Sequence, residues 1–447
     1  MRKVFWNLDS GLRHRFRTAG LMAAYLLAAA GMARADEGKV LIDAGDTAWV
    51  LASSALVMLM TPGLGLFYAG MVRRKNVLGT MIQSFAMVAV IGVQWVLWGY
   101  TLAFGPDNYH IIGGLEWLGL HGVGLQPNPE YAATIPHQAF MIYQAMFAII
   151  TPALITGAFA ERMRFKSYII FMLLWCTFVY DPIAHWVWAP GGWLRELGAL
   201  DFAGGTVVHI SSGIAALTCA IFVGRRRGYE DSEMKPHNIS MTLLGAGILW
   251  FGWFGFNAGS ALGANGIAAS AFVVTNTAAA AGALSWMITE WLHNGKPTAL
   301  GAASGAVAGL VAITPASGFV GPMSAIAIGS IAGIICYFAI ILKNRLGYDD
   351  SLDVFGVHGV GGTWGAIATG LFASVAVNSA GKNGLFFGNH KLLVTQLIAI
   401  LAVFIYSFIA TAILLKLVGF MTPLRVHHED EELGLDLSQH GELAYHP

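Results

Sequence analysis

Cysteine is scarce, with 3 in 447 residues. Cys176, Cys219 and Cys336 each fall inside an apolar run, at no spacing that suits a zinc site or a disulfide framework. Charge is scarce too, at 11% of residues. The 25 basic and 25 acidic side chains cancel formally, but they are segregated along the chain. With 56% hydrophobic residues and a mean hydropathy of +0.63, a soluble globular protein is excluded. What is present instead is a series of long apolar runs, the signature of a polytopic helical membrane protein.

Residues 1–35 read as a cleaved signal peptide. Arg2, Lys3, Arg13, Arg15 and Arg17 precede an apolar stretch near 18–32, and Ala33-Arg34-Ala35 offers a cleavage site. An uncleaved anchor is the alternative; in either case the chain emerges outside before Asp36. Eleven candidate spans follow, near 46–70, 77–104, 138–160, 167–188, 203–224, 238–259, 267–292, 298–315, 319–342, 354–377 and 392–418. Each is long enough to cross a hydrocarbon core of ~30 Å. The eighth is short and carries Gly301, Gly305 and Gly309 at every fourth position, a stripe that lets another helix approach closely. With an outside start, inner segments hold 15 basic residues, among them Arg73, Arg162 and Arg225, and outer segments hold 4: Lys39, Arg195, Lys382 and Lys391. That asymmetry fits an odd number of crossings and an inner C-terminus. The mature chain therefore divides into a transmembrane domain, 36–418, and a tail, 419–447.

The chain repeats weakly. GLGLFYAGMVRRKN (63–76) in the first span answers GWFGFNAGSALGANG (252–266) in the sixth, and the fifth and tenth spans carry LDFAGGTVVHISSGIAAL and LDVFGVHGVGGTWGAIA. A repeat of five spans, an odd number, turns the second half upside down relative to the first, the inverted plan of many transporters. Small-residue bias is the competing explanation.

His209 and His358 lie in the matching stretches of the fifth and tenth spans, well within apolar sequence. Ionisable groups at that depth are costly and usually mark a pathway. The bland reading is a packed histidine bonded to a neighbouring helix; haem ligation is a third, though the surrounding Gly, Ser and Thr suit a cofactor-free pore better. Helix rise alone leaves the two rings roughly 12 Å apart along the membrane normal, so tilt or a non-helical start must close the gap. Asp201 and Asp353 head the two spans, either attracting a cation or scaffolding the pore, or simply capping helices. Trp95, Trp98, Trp186, Trp188, Trp193 and Trp253 crowd the outer halves; most suit an interfacial belt, and a few could cage a cation at ~0.5–2 kcal/mol each. Phe147 and Phe256 are candidate gates that spacing does not separate from core phenylalanines.

Together, GLFYAG (65–70), TGAFAERMRF (156–165), PIAHWVW (182–188), LDFAGGTVVHI (200–210), GWFGFNAGSA (252–261), DVFGVHGVGG (353–362) and the tail GLDLSQHGELAY (434–445) resemble the ammonium transporter (Amt/MEP/Rh) family on its bacterial branch. The resemblance implies an all-α membrane fold with eleven transmembrane helices, inverted five-helix repeats plus a final helix, and a homotrimer with one pore per subunit in the bacterial inner membrane. It implies an outer recruitment site at Phe147, Trp188 and Ser260 and a phenyl gate at Phe147 and Phe256. Twin histidines, His209 and His358, would follow, with Trp253 lining the pore and Asp201 and Asp353 as supports. The segment WAPGGWLRELGALD is one residue longer than the usual spacing, which bears on Trp188. Ammonium or ammonia is the implied substrate, with methylammonium as an analogue; no enzymatic activity, cofactor, metal or nucleic acid is implied. The tail reads alone as a solvated end; the resemblance instead implies a packed tail coupling subunits, with a PII-type signalling protein docking beside it. Rival readings are an ammonium sensor of the same fold and a membrane haem or metal oxidoreductase.

Overall fold

The computed structural model describes residues 42–229 and 234–445; the expected signal peptide lies outside the described residues. Helices stand at all eleven expected positions: α1 (Ala44–Met71), α2 (Arg74–Phe104), α3 (His137–Phe159), α4 (Phe165–Leu197, interrupted after Trp188), α5 (Gly205–Val223), α6 (Ile239–Ala261), α7 (Gly266–Asn294), α8 (Ala299–Ile313), α9 (Pro322–Leu346), α10 (a π turn, Phe355–Gly359, continuing as Val360–Phe372) and α11 (His390–Met421). Among the described residues, 9 of these are long and apolar enough to cross a membrane. The other two are α8, which spans 15 residues, and α10, whose glycines and histidine lower its hydropathy. Outside the helices, β1 (Asp107–Asn108) and β2 (Ile112–Gly113) form a small antiparallel ribbon in the connection after α2.

Small residues set the packing. Gly305 and Gly309 of α8 face the backbone of α7, where an added Cβ would come within 2.7 Å of Gly282 O and 2.2 Å of Ala278 O respectively. The glycine stripe is thus a helix–helix seam, as its spacing predicts. Helices α1 and α6 lie side by side in opposite directions: Gly70 meets Asn238 and Thr242, Gly63 meets Ile248, and Gly252 meets Met60. Residue numbers fall along one helix as they rise along the other, over nearly the whole length of both. α5 and α10 also run antiparallel, with Gly213 against Gly359 and Gly362 against His209.

The tail is packed. After α11, α12 (His428–Leu433) and α13 (Leu435–His440) lie against the connections between the long helices. Buried Glu431 accepts the Arg227 N–H at 2.6 Å and pairs with Arg425 at 2.7 Å. Asp436 accepts the Gly79 N–H at 2.8 Å, and Asn76 Oδ1 accepts the Leu435 N–H at 2.8 Å. Gly434, at φ 104°, passes so close to Lys75 that a Cβ would sit 2.5 Å from its carbonyl oxygen. Over the described part of the tail, 419–445, the solvated-end reading therefore gives way to a docked segment, because its acidic residues meet backbone N–H groups and arginines.

A buried ionic cluster lies on the same side. Asp349 holds Arg226 through Nη2 at 2.9 Å, and Arg73 Nε donates to Glu161 at 2.6 Å. Arg162, fully buried, donates to the carbonyls of Asp349 (2.6 Å), Ala158 (3.0 Å) and Gly224 (2.7 Å). Burial raises the Asp349 carboxyl, but the Arg226 hydrogen bond and the charges of Arg162 and Arg226 leave it below its ordinary value. Arg162 O also accepts the Val426 N–H at 3.0 Å, so this cluster touches the start of the tail.

Candidate functional site

His209 and His358 meet. Their Nδ1 atoms are 3.3 Å apart and their ring centroids 5.3 Å apart. The ~12 Å obtained by counting helical rise assumes that each span starts at a membrane face. Here the lead-in residues Ala203 and Gly204, and Asp349 and Asp350, are buried within the protein rather than exposed at a face. Each then begins with a π turn: His209 N–H donates to Gly204 O, five residues back, at 3.1 Å, and Val360 N–H reaches Phe355 O. Such turns carry one extra residue and re-aim side chains, often at functional sites. The glycine contact between Gly213 and Gly359 then lets the two backbones cross where the rings must touch.

The aspartates divide the work differently from their expected pairing. Asp201 is a cap: its carboxylate accepts the N–H groups of Gly204 (2.8 Å), Gly205 (2.6 Å), Thr206 (2.7 Å) and Val207 (3.2 Å). It also takes the Thr206 hydroxyl. At α10 the corresponding carboxylate is Asp350, whose Oδ2 accepts the Phe355 N–H at 2.7 Å. Asp353, at φ 61°, pairs instead with Lys343 Nζ at 2.5 Å and lines a cavity below His358. Burial pushes the Asp350 carboxyl up to about 6, against the opposing charge of Lys343. The signal was in the sequence: Asp350 precedes His358 by eight residues, as Asp201 precedes His209.

Above the histidines, the Phe147 and Phe256 rings lie 4.4 Å apart. Phe147 also lines an open vestibule with Trp188, Ser260 and Gln144, whereas Phe256 lines the cavity that holds His209 and His358. The ring pair is the partition between the two. Trp188 stands edge-on to Phe147 at 5.8 Å and donates Nε1–H to Asp201 O at 2.9 Å, so the cap also orients the indole. Ser260 Oγ donates to Phe256 O at 2.9 Å, and Tyr143 OH, absent from sequence reasoning, lies 3.1 Å from the same Oγ. With its proton committed to a carbonyl, Ser260 presents lone pairs to the vestibule. Trp253 lies against Phe256 of the phenyl pair, 5.5 Å from His209, and is held by Nε1–H to Thr314 at 2.9 Å.

Vestibule, phenyl pair, histidine cavity and a third cavity shared by His358 and Asp353 thus form one line through the helices. Apart from the imidazoles, the middle cavity is walled by apolar side chains such as Leu64, Ile150, Leu154 and Val307. Two neutral imidazoles that share one Nδ1–H leave one Nε2–H donor and one bare Nε2 acceptor; His209 Nε2 has no protein partner. The pair can therefore both give a hydrogen bond to a small molecule and take one from it. Haem ligation does not fit this geometry, because the rings bond to each other and leave no room for a macrocycle between them.

The sequence profile of the Ammonium Transporter Family matches residues 48–445. An ammonium transporter of Bacillus subtilis (strain 168) is 56% identical over 402 residues, covering 90% of this chain and 98% of that one. The crystal structure of Candida albicans Mep2 superposes with a TM-score of 0.83 at 40% identity, covering 91% of both chains. A structure described as a sensor Amt protein superposes at 0.81 with 30% identity, covering 89% of this chain and 98% of that one.

Proposed function

The chain belongs to the ammonium transporter family, and from that premise we propose that it carries ammonium or ammonia across the bacterial inner membrane, with no enzymatic step. The observation that carries the mechanism is the partition: Phe147 faces the vestibule, and Phe256, 4.4 Å away, faces the histidines. Ammonium and potassium are alike in size, so radius does not discriminate. Ammonium enters beside Phe147, Trp188 and Ser260, where the aromatic faces attract a cation and Ser260 Oγ accepts an N–H. Passing the phenyl pair strips its water, which disfavours the charged form. It gives up a proton at or below that point to the bare Nε2 of the histidine pair. Ammonia moves along His209 and His358, which offer a donor and an acceptor, and the imidazoles release the proton to the inner side, so that one charge crosses with each ammonia. Potassium has no proton to give and meets the full cost of desolvation.

In the same reading all eleven helices cross the membrane, the mature N-terminus is outside after cleavage of 1–35, and the tail is inside. Antiparallel contact of α1 with α6 and of α5 with α10 supports two inverted halves, each supplying one histidine. The resemblance supports a homotrimer with a pore in each subunit, and a PII-type protein docking near the packed tail. A sensor role is the second reading, favoured by the likeness to the sensor structure. The test is the current on a solid-supported membrane after an ammonium jump, compared with a potassium jump. Transport predicts a saturable ammonium current and none with potassium; no current and no ammonium-dependent uptake would leave the sensor.

A further inference from the structure

Helix α3 turns a stripe of three side chains, Phe140, Gln144 and Phe147, into the outer vestibule at helical spacing. Two of them are aromatic and need no partner. Gln144 is different. It is only 9% exposed, and its Oε1 is enclosed yet accepts no hydrogen bond. No described residue bonds to either end of its amide. A buried amide oxygen without a partner loses its hydration and gains nothing in return, so its place in an otherwise well-bonded wall calls for a ligand that brings a proton donor.

The neighbours define that donor. Tyr143, the preceding residue, has its hydroxyl within 2.9 Å of the Gly255 and Phe256 carbonyls and 3.1 Å from Ser260 Oγ. It anchors the α6 segment that bears Ser260, while Gln144 projects into the cavity. Ser260 has committed its own proton to Phe256 O. The wall thus offers Ser260 Oγ as one acceptor, and the Gln144 amide, turned about its last bond, supplies Oε1 as a second, beside the ring faces of Phe147 and Trp188. We propose that Gln144 is a specificity-determining residue of the recruitment site, whose Oε1 accepts a second N–H from the incoming ammonium. Two acceptors of fixed direction suit a tetrahedral donor and favour it over an alkali cation of equal radius, which has no N–H to aim. This inference rests on the reading of the vestibule as the recruitment site.

The experiment is a set of dose–response currents with ammonium, methylammonium, dimethylammonium and trimethylammonium, for wild type, Gln144→Leu, Gln144→Glu and the two reference variants Ser260→Ala and Trp188→Leu. Gln144→Leu is expected to raise the half-saturating ammonium concentration about fivefold to tenfold with little change in maximal current. That penalty should shrink as methyl groups replace N–H donors and vanish for trimethylammonium, which Ser260 alone can serve. Gln144→Glu, which keeps an acceptor, should restore ammonium affinity; it also carries the comparison with wild type if the leucine variant fails to reach the membrane. An affinity loss that is the same for all four amines marks a packing role and overturns the proposal. So does an unchanged ammonium curve while Ser260→Ala and Trp188→Leu shift theirs. If the reference variants leave the curves unchanged as well, the recruitment reading itself has failed.

Discussion

The Nδ1 atoms of His209 and His358 lie 3.3 Å apart, a separation that a single proton bridges. The bond fixes the tautomers as a pair: whichever ring donates at Nδ1 has a bare Nε2, and the other carries its proton on Nε2. Replacing either residue with Ala is expected to abolish selective ammonium flux or to open the path to other cations, while the protein still folds. Currents after ammonium and potassium jumps read this directly; unchanged flux and selectivity in both variants would remove the twin histidines from the mechanism.

Trp188 is oriented through its hydrogen bond to the Asp201 carbonyl, and Ser260 through its bond to Phe256 O. Trp188→Leu removes a cation–π face worth ~0.5–2 kcal/mol, so apparent affinity should weaken roughly twofold to thirtyfold. Ser260→Ala should weaken it similarly, with maximal current less affected in both. Identical saturation curves would take these side chains out of the recruitment site.

The two carboxylate caps invite a stability test. Asp201→Ala and Asp350→Ala each strip a helix start of its acceptor, and each should cost about 1–2 kcal/mol, seen as a lower melting temperature of the detergent-solubilised protein. A variant that melts with wild type would show that its cap is dispensable.

Asp350 also predicts a pH dependence of definite sign. Its carboxyl is held up at about 6 in the folded protein, above the value of 3.8 for a free side chain. Folding therefore disfavours its charged form, and the wild type loses stability from this group as pH rises from about 4 to about 6. Asp350→Asn lacks that term, so its melting temperature relative to wild type should climb across the interval. A difference that is flat from pH 4 to pH 7 contradicts the raised value. Asp349 runs the other way: its lowered carboxyl contributes stability above the ordinary value, lost as pH falls through the folded one. A difference between two proteins that both retain Asp349 isolates Asp350.

The tail is fixed by a few polar contacts, chiefly Glu431 with Arg227 and Arg425, and Asp436 with Gly79. Glu431→Gln should weaken docking, so that backbone hydrogen exchange over 428–440 speeds up while the long helices keep their protection. Deleting 426–447 should impair regulation more than membrane insertion. A truncated protein with full regulation would make the packed tail a passive strap.

Most of the helical plan was legible in the sequence, because apolar length is a direct physical demand of the bilayer and the glycine stripe of α8 states its own use. The positions of Phe147, Trp188, Ser260 and the two histidines came from motif resemblance, since spacing does not separate a gate phenylalanine from a core one. Three things stayed hidden. The π turns at Gly205–Ile210 and Phe355–Gly359, which re-aim the two imidazoles, have no compositional mark. Asp353 drew attention because it copies the local Leu-Asp of Asp201, whereas the capping role follows the longer spacing that only Asp350 keeps. Tyr143 and Gln144 carry no mark of their own in the sequence, and their placement depends on how α6 packs beside α3.

The contact of Gly213 with Gly359 has a consequence for the calibre of the conduit. A Cβ at Gly213 would lie 2.3 Å from the Gly359 nitrogen, so main chain abuts main chain beside the imidazoles. The spacing of the two rings is consequently gauged by peptide planes rather than by side chains that could hop between rotamers. A bore set in this way keeps one diameter as residues around it are exchanged. On the proposed reading of the vestibule as the recruitment site, selectivity can then be retuned there without loosening the passage beneath it.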